Sequence, residues 1–276
     1  MTEDGDTLDT TVFPANNERA AHQLGLDIRV IVGNPPYSVG QGSANDNNAN
    51  LKYPTLDKAI ETTYAARSTA SLKRNLYDSY VRAIRWATDR IKDAGVIGFV
   101  TNGGFLEASN ADGLRKTLAD EFSSVYVYNL RGNQRTSGET SRREGGKIFG
   151  AGSRNTVAIT FLVKKPDHTG PATIHYRAIG DYLTREQKLG VIAKDDLALV
   201  DWQAITPNSA GDWINQRGRT FPLLTPLGGE AGSVFLQSGP GVSTNRDAWL
   251  YGSSRTRTGS TRFARAGSLV PGSMPS

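Results

Sequence analysis

Apolar residues along this chain fall into short blocks separated by glycine, proline and polar punctuation, and the period changes from block to block. Leu26 to Val32 ends in an apolar run that stops at Gly33-Asn34-Pro35-Pro36, which predicts a short strand closed by a turn. Leu76, Tyr80, Ile84, Ala87 and Ile91 recur at spacings of 4, 4, 3 and 4, one face of a helix over about 76–93, with Asn75 as its cap and Gly95 as its stop. On that helix Asp78–Arg82 and Arg85–Asp89 read as i,i+4 pairs on the solvent face. Gly95 to Thr101 is continuously apolar, as in a strand buried on both faces. A helix over 110–121 turns Leu114 and Leu118 inward. Strands are expected at 124–130 and 156–163. Residues 16–25 suit a short helix. The order is strand, helix, strand, helix, strand, loop, strand. It predicts an α/β sheet, largely parallel, with the last two strands as a hairpin.

Beyond Pro166–Gly170 the text changes. Thr173 to Ile179 reads as a strand and 183–193 as a short helix. Trp202, Trp213, Phe221 and Trp249 then appear without a period among glycines and prolines. The expected organisation is a polar N-terminus over 1–12 without structure, an α/β domain over 13–165, a second partial domain over 166–251, and a Gly/Ser/Arg tail over 252–276. Residues 38–56 read as a long loop beside the first turn.

Composition narrows the class. The 276 residues contain no cysteine, which excludes disulfides and cysteine-held zinc and fits a reducing compartment such as a bacterial cytoplasm. His22, His168 and His175 are too scattered for a metal cluster, so no metal is expected. The acidic start carries no signal-peptide core, and no apolar run is long enough to span a bilayer. The net charge is +5, unevenly placed. Arg255, Arg257, Arg262 and Arg265 stand without an acid in the tail. Arg131, Arg135, Arg142, Arg143, Lys147 and Arg154 stand against only Glu139 and Glu144 in 131–154. A basic loop inside a near-neutral domain points to phosphate, with a plain solvated loop as the alternative.

The first turn carries the chemistry. Two prolines after Asn34 fix the backbone and leave the Pro35 carbonyl without a helical partner. Asn34 offers an amide oxygen and an NH₂, and Tyr37 a flat ring. A stiff turn of this kind at the carboxyl end of a buried strand suits a planar substrate bearing an amino group.

Asn34-Pro35-Pro36-Tyr37 resembles the catalytic motif of amino-group methyltransferases, chiefly DNA adenine N6 methyltransferases. Asn16-Asn17-Glu18-Arg19, Ser38-Val39-Gly40-Gln41, Asn75-Leu76-Tyr77-Asp78 and Asn129-Leu130-Arg131-Gly132-Asn133-Gln134-Arg135 extend the likeness. Together they resemble the methyltransferase part of Type ISP restriction-modification enzymes, from about Phe13 to Tyr251. The resemblance implies the second half of a Rossmann-like, S-adenosylmethionine-dependent methyltransferase sheet, followed by part of a target-recognition domain. It implies double-stranded DNA as partner and a flipped adenine as target. Tyr37 would stack on that base, while the Asn34 oxygen and the Pro35 carbonyl accept its amino hydrogens. By family position Phe149 resembles a second stacking aromatic, with a plain core role as the alternative. The basic loop would hold phosphates through Arg131, Arg135, Arg142, Arg143, Lys147 and Arg154.

The cofactor wall is not legible. The family places a glycine-rich turn and a ribose-binding acid before the Asn-Pro-Pro-Tyr turn. Here the preceding text holds only Gly5, Gly25 and Gly33, and a βαβ unit needs about 30 residues. The Gly-rich run after Val234-Phe235-Leu236 is weak support for a permuted site. Nor is there a Gly-x-x-x-x-Gly-Lys-Ser/Thr phosphate loop. The expectation is a truncated adenine methyltransferase, weak or inactive alone, that works with the missing portion of a longer restriction-modification enzyme. The alternatives are a non-catalytic DNA-binding remnant, and an amino-group methyltransferase acting on RNA guanine or protein glutamine. The sheet edge at the first strand would be unpaired.

Overall fold

The computed structural model describes residues 14–36, 53–149, 154–218, 220, 223–228 and 232–235. The chain divides into two compact units, Met1–Arg217 and Gly218–Ser276. The N-terminal segment 1–12, most of the 38–56 loop and the 252–276 tail lie outside the described residues, as do Tyr37, Phe221 and Trp249.

The first unit is a three-layer-type α/β arrangement built on one six-stranded sheet. Helix α1 (Pro14–Gly25) leads to β1 (Val30–Gly33). Then come α2 (Pro54–Ile60), a π-helical turn (Glu61–Ala65), a 3₁₀ turn (Arg74–Tyr77) and α3 (Ser79–Arg90). Strand β2 (Gly95–Asn102), α4 (Asp112–Glu121), β3 (Ser124–Arg131), α5 (Gly138–Glu144) and β4 (Val157–Lys164) follow. The unit is completed by β5 (Thr173–Ala178), α6 (Arg185–Ile192) and β6 (Gln203–Ile205).

Strand order is β1-β2-β4-β3-β5-β6. β1, β2, β3 and β5 run parallel, and β4 lies antiparallel between β2 and β3. The expected β3–β4 pairing is present, but β4 also separates β2 from β3, so the sheet is mixed. The short β6 closes the far side antiparallel to β5. The Pro166–Gly170 turn thus links two strands of one sheet.

Alternation along the strands sends Ile31, Ile97, Phe99, Val125, Val127, Ala158, Leu162 and Ile174 to one face. There they meet Ile60 and Tyr64, Ile84 and Ala87 of α3, and Leu114 and Leu118 of α4. Each fully buried aliphatic side chain contributes about 1.5–3 kcal/mol. All five residues of the predicted 76–93 face are buried. The helix itself is shorter, however. Asp78 adopts an extended conformation (ψ 146°) that separates the 3₁₀ turn from α3, and Lys92, with φ 51°, turns the chain before Gly95.

The predicted solvent-face pairs need correction. Arg85 does bond Asp89, but only 4 % of its side chain is exposed, and it also donates to both carboxylate oxygens of Glu121 at 2.9 Å. Its guanidinium lies 5.4 Å from the Tyr64 ring centroid. The face is internal because Glu121, at the end of α4, packs there. Arg82 pairs with Asp57 of α2, at 2.7 and 3.0 Å.

In the second unit the described residues form a parallel bridge between Gly228 and Phe235. Leu223, Leu224, Leu227, Val234 and Phe235 are exposed.

Candidate functional site

The carboxyl ends of β1, β2, β3 and β5 and the amino end of β4 share one edge of the sheet. That edge carries the Asn34 turn, Asn102, Arg131, the 147–149 segment and Asp181. Open α/β sheets place ligands at such an edge. Gly33 passes under the Phe99 ring, where an added Cβ would lie 3.3 Å from the nearest ring carbon. The chain then leaves the sheet, with Asn34 and Pro36 exposed and Pro35 half-buried. β1 and β4 are two strand positions apart, roughly 10 Å at ordinary strand spacing.

Asn129 is the polar hub of the edge, and sequence reasoning gave it no role of its own. Its Oδ1 accepts from the Arg131 amide at 2.9 Å and from Thr156 Oγ1 at 3.2 Å, and its Nδ2 donates to Tyr176 Oη at 3.1 Å. This network holds a bulge in β3 at Asn129–Arg131, and Arg131 takes φ 57°, rare for a non-glycine residue. The Asn129-Leu130-Arg131-Gly132 text therefore encodes a strained strand exit rather than a plain loop. Burial raises the Tyr176 phenol above its ordinary pKa.

The basic loop is partly self-neutralised. Asp181, just after β5, pairs with Arg131 at 2.7 Å and with Arg143 at 2.9 Å. Arg142 pairs with Glu139 at 2.7 Å, and Tyr182 Oη donates to the same carboxylate. Arg154 donates to the Gln134 carbonyl at 2.9 Å. No ion pair holds Arg135 or Lys147 among the described residues. Including Asp181, six basic side chains face three carboxylates, so the surface keeps a positive excess. Helix α5 orders residues that read as loop in the sequence, and it exposes Arg142 and Arg143.

Phe149 is half-buried against a second apolar cluster of Tyr128, Leu130, Ile148, Val157 and Ile179, on the sheet face opposite the main core. Lys188 of α6 is fully buried. Its ammonium donates to the carbonyls of Leu130, Glu144 and Gly146 at 2.9, 2.7 and 2.8 Å. Burial lowers its pKa to about 8. Nearby, Tyr128 Oη donates to Asp195 at 2.5 Å. Burial, reinforced by that carboxylate, pushes the phenol up to about 12.

A third polar centre lies under α4. Arg115 is fully buried and donates to the carbonyls of Gly211, Phe105 and Ala108 at 2.7, 2.7 and 2.8 Å, and to Asp212 at 3.3 Å. Hydrogen bonds from Arg217 hold the Asp212 carboxyl well below the usual range. The cluster pins the 206–217 segment, with Trp213 edge-on to Phe105. Among the described residues no group of His, Asp and Glu could hold a metal ion, and no helix is long and apolar enough to cross a membrane.

With its mixed, helix-flanked sheet and a ligand-ready edge, the unit has a Rossmann-like α/β fold. Residues 10–135 match the family described as Eco57I restriction-modification methylase. The chain is 48 % identical to a nuclease-deletion mutant of the Type ISP restriction-modification enzyme LlaGI, solved with a DNA substrate mimic. That match has a TM-score of 0.82 and covers 91 % of this chain and 24 % of that one. It is 40 % identical to the ATP-dependent Type ISP enzyme LlaBIII bound to DNA, with a TM-score of 0.85, covering 97 % of this chain and 18 % of that one. A DrdV–DNA complex matches at 33 % identity and a TM-score of 0.80, covering 92 % of this chain and 26 % of the other. No curated protein matches the sequence. Residues 10–135 thus carry a restriction-modification methylase domain. Over most of its length the chain is similar to a segment of the Type ISP enzymes, and it spans about a quarter or less of the LlaGI and LlaBIII chains.

Proposed function

We propose that this chain forms the target-base and DNA-facing wall of a DNA adenine N6 methyltransferase. The observation that carries this reading is the shared edge: the Asn34-Pro35-Pro36 turn follows β1, Arg131 ends β3, and Phe149 and Arg154 precede the antiparallel β4, all at the same end of the sheet. The Asn34 amide oxygen and the Pro35 carbonyl accept the two amino hydrogens of an extruded adenine. This draws the nitrogen lone pair out of conjugation with the ring and makes it nucleophilic. Tyr37 and Phe149 stack on the base. Arg131, Arg135, Arg142, Arg143, Lys147 and Arg154 supply salt-sensitive phosphate contacts that position the duplex without reading its sequence.

The methyl donor implied by the family is S-adenosylmethionine, and the described residues do not fit it. Before Asn34 they form one exposed helix and one strand. Their glycines are Gly25, which ends the helix, and Gly33, which packs under Phe99. Neither makes a strand-to-helix turn able to cradle the donor. Meanwhile, among the described residues, β1 pairs only with β2 and leaves Val30 and Val32 exposed at 63 % and 79 %. That edge and face fit a further segment of a longer restriction-modification enzyme, which would bring the donor's wall. The chain alone then binds DNA and transfers little or no methyl.

The test is a duplex with 2-aminopurine opposite an abasic site, so that the base is already free to leave the stack. Wild-type chain should quench its fluorescence by stacking on it. Because 2-aminopurine lacks the 6-amino group, Asn34 is tested by competition: a duplex with adenine at that position should displace the probe, and Asn34→Ala should weaken that competition by about 5-fold or more, as expected for a hydrogen-bonded base edge. Salt-sensitive binding with no fluorescence response in any protein would leave the non-catalytic DNA-binding remnant. That second reading is favoured by one observation, the exposed arginines of α5. Labelling of adenine by the isolated chain with tritiated S-adenosylmethionine would refute the missing donor wall.

A further inference from the structure

We propose that Arg185 and Lys188 of α6 are positioning residues for Phe149, so that the floor of the target-base site is built by the segment after β5, outside the 10–135 family match. The proposal rests on the target-base reading above.

A buried ammonium is costly unless every N–H is bonded. A leucine or methionine would fill the space at Lys188 without that cost. Instead, Lys188 joins three backbone points: the end of β3 (Leu130), the last residue of α5 (Glu144) and Gly146. One turn earlier, Arg185 Nε donates to the Ile148 carbonyl at 2.8 Å. Residues three apart share a helix face, so the two cations grip the chain on either side of Lys147, immediately before Phe149. A third contact runs from the Gly146 amide to the Leu183 carbonyl at 2.9 Å.

The glycines confirm how close this approach is. A Cβ on Gly145, which has φ 67°, would lie 2.2 Å from Leu183 O, and one on Gly146 would lie 2.5 Å from Arg185 N. Only two glycines let the backbones touch here. The start of α6 is itself fixed by a capping box, in which Thr184 and Gln187 exchange side-chain and backbone hydrogen bonds. Hence the grip is aimed rather than loose. Phe149 rests at the end of that anchored stretch, packed against the cluster that contains Leu130 and Ile148.

The experiment uses the full 276-residue chain with two readouts: amide hydrogen exchange across 145–149, and quenching of 2-aminopurine opposite an abasic site. Lys188→Met and the milder, more exposed Arg185→Gln should each raise exchange at the bonded Gly145 and Gly146 amides by at least about tenfold, the mark of local opening. Each should also weaken quenching in the range expected for Phe149→Ala, about 5- to 150-fold for a base–aromatic contact. Because both changes act through one ring, Lys188→Met combined with Phe149→Ala should be no worse than Phe149→Ala alone. Unchanged exchange in Arg185→Gln and Lys188→Met, or losses that multiply in the double variant, would overturn the proposal. If Phe149→Ala quenches as wild type while Lys188→Met raises exchange, the base-site reading fails and the clamp holds Phe149 for packing alone, which also removes its positioning role.

Discussion

The two faces of the sheet are built to different standards. On one, Ile97, Phe99, Val125, Val127, Leu162 and Ile174 are sealed beneath α2, α3 and α4. On the other, among the described residues, α6 and Trp202 cover the part near β3 and β5, where Tyr126 stacks on His175 with ring centroids 4.3 Å apart. Toward β1 the cover thins, through half-buried Val96 and Phe161 to exposed Val30 and Val32. Yet β1 is apolar on both sides, as parallel strands are when both faces are covered. Its sequence suits an interior strand, and its surroundings among the described residues are those of an edge. Stability therefore comes from the sealed face, while the face that the described residues leave open suits association.

The sharpest way to break this contrast is at Arg115, which fastens the 206–217 segment to the sealed side. Removing one partner of a buried ion pair strands the other and costs about 3–5 kcal/mol. Arg115→Ala should therefore lower the urea midpoint severely. Arg142→Ala, on a side chain 73 % exposed, should change the unfolding free energy by no more than about 0.5 kcal/mol. Equal effects would show that the polar cluster under α4 does not hold the layer together.

A second test uses acid. Asp112 opens α4 but bonds across to Ser68 Oγ at 2.5 Å, the Thr69 amide at 2.9 Å and Thr69 Oγ1 at 2.9 Å, with Lys116 at 3.1 Å. Burial alone would raise its pKa. The hydrogen bonds outweigh burial and hold the carboxyl down at about 2. Because the folded value lies below the unfolded one, this stabilisation is fully present above the ordinary carboxylate range, near 3.8, and is lost as pH falls through about 2. It amounts to roughly 2 kcal/mol. The melting-temperature gap between wild type and Asp112→Asn should be constant from neutral pH to about pH 5 and narrow steadily below it. A gap independent of pH would mean that the carboxylate charge contributes nothing.

Particular residues explain what could and could not be read from the sequence. The helix face from Leu76 to Ile91 and the inward Leu114 and Leu118 were legible because periodicity reports burial directly. The exposure of Arg85 was not, because a charged i,i+4 pair looks the same on the surface and inside a helix–helix contact. Helix α2 and the π turn were missed beside a polar, Asn-rich stretch. The antiparallel insertion of β4 depends on strand order, which no local pattern carries. At the site, the Asn34 turn and the basic segment stood out by residue type. Lys188, Arg185 and Asp181 did not: each acts through backbone carbonyls or arginines distant in sequence, and only the fold brings them together.

The smallest expected effect on stability tests the open face itself. Val32 is 79 % exposed, so exchanging it for the β-branched Thr keeps strand propensity and removes only apolar surface. Val32→Thr should alter unfolding free energy by no more than about 0.5 kcal/mol. Substitution on the sealed face behaves differently: Leu118→Ala, at a fully buried site, should cost about 2–5 kcal/mol. Solution behaviour should run in reverse order. An apolar edge strand invites strand-to-strand association, so Val32→Thr should lower concentration-dependent self-association in sedimentation velocity, and Leu118→Ala should not. A Val32→Thr chain as destabilised as Leu118→Ala would mean that β1 is packed on both faces in solution, and the asymmetry between the faces would be gone.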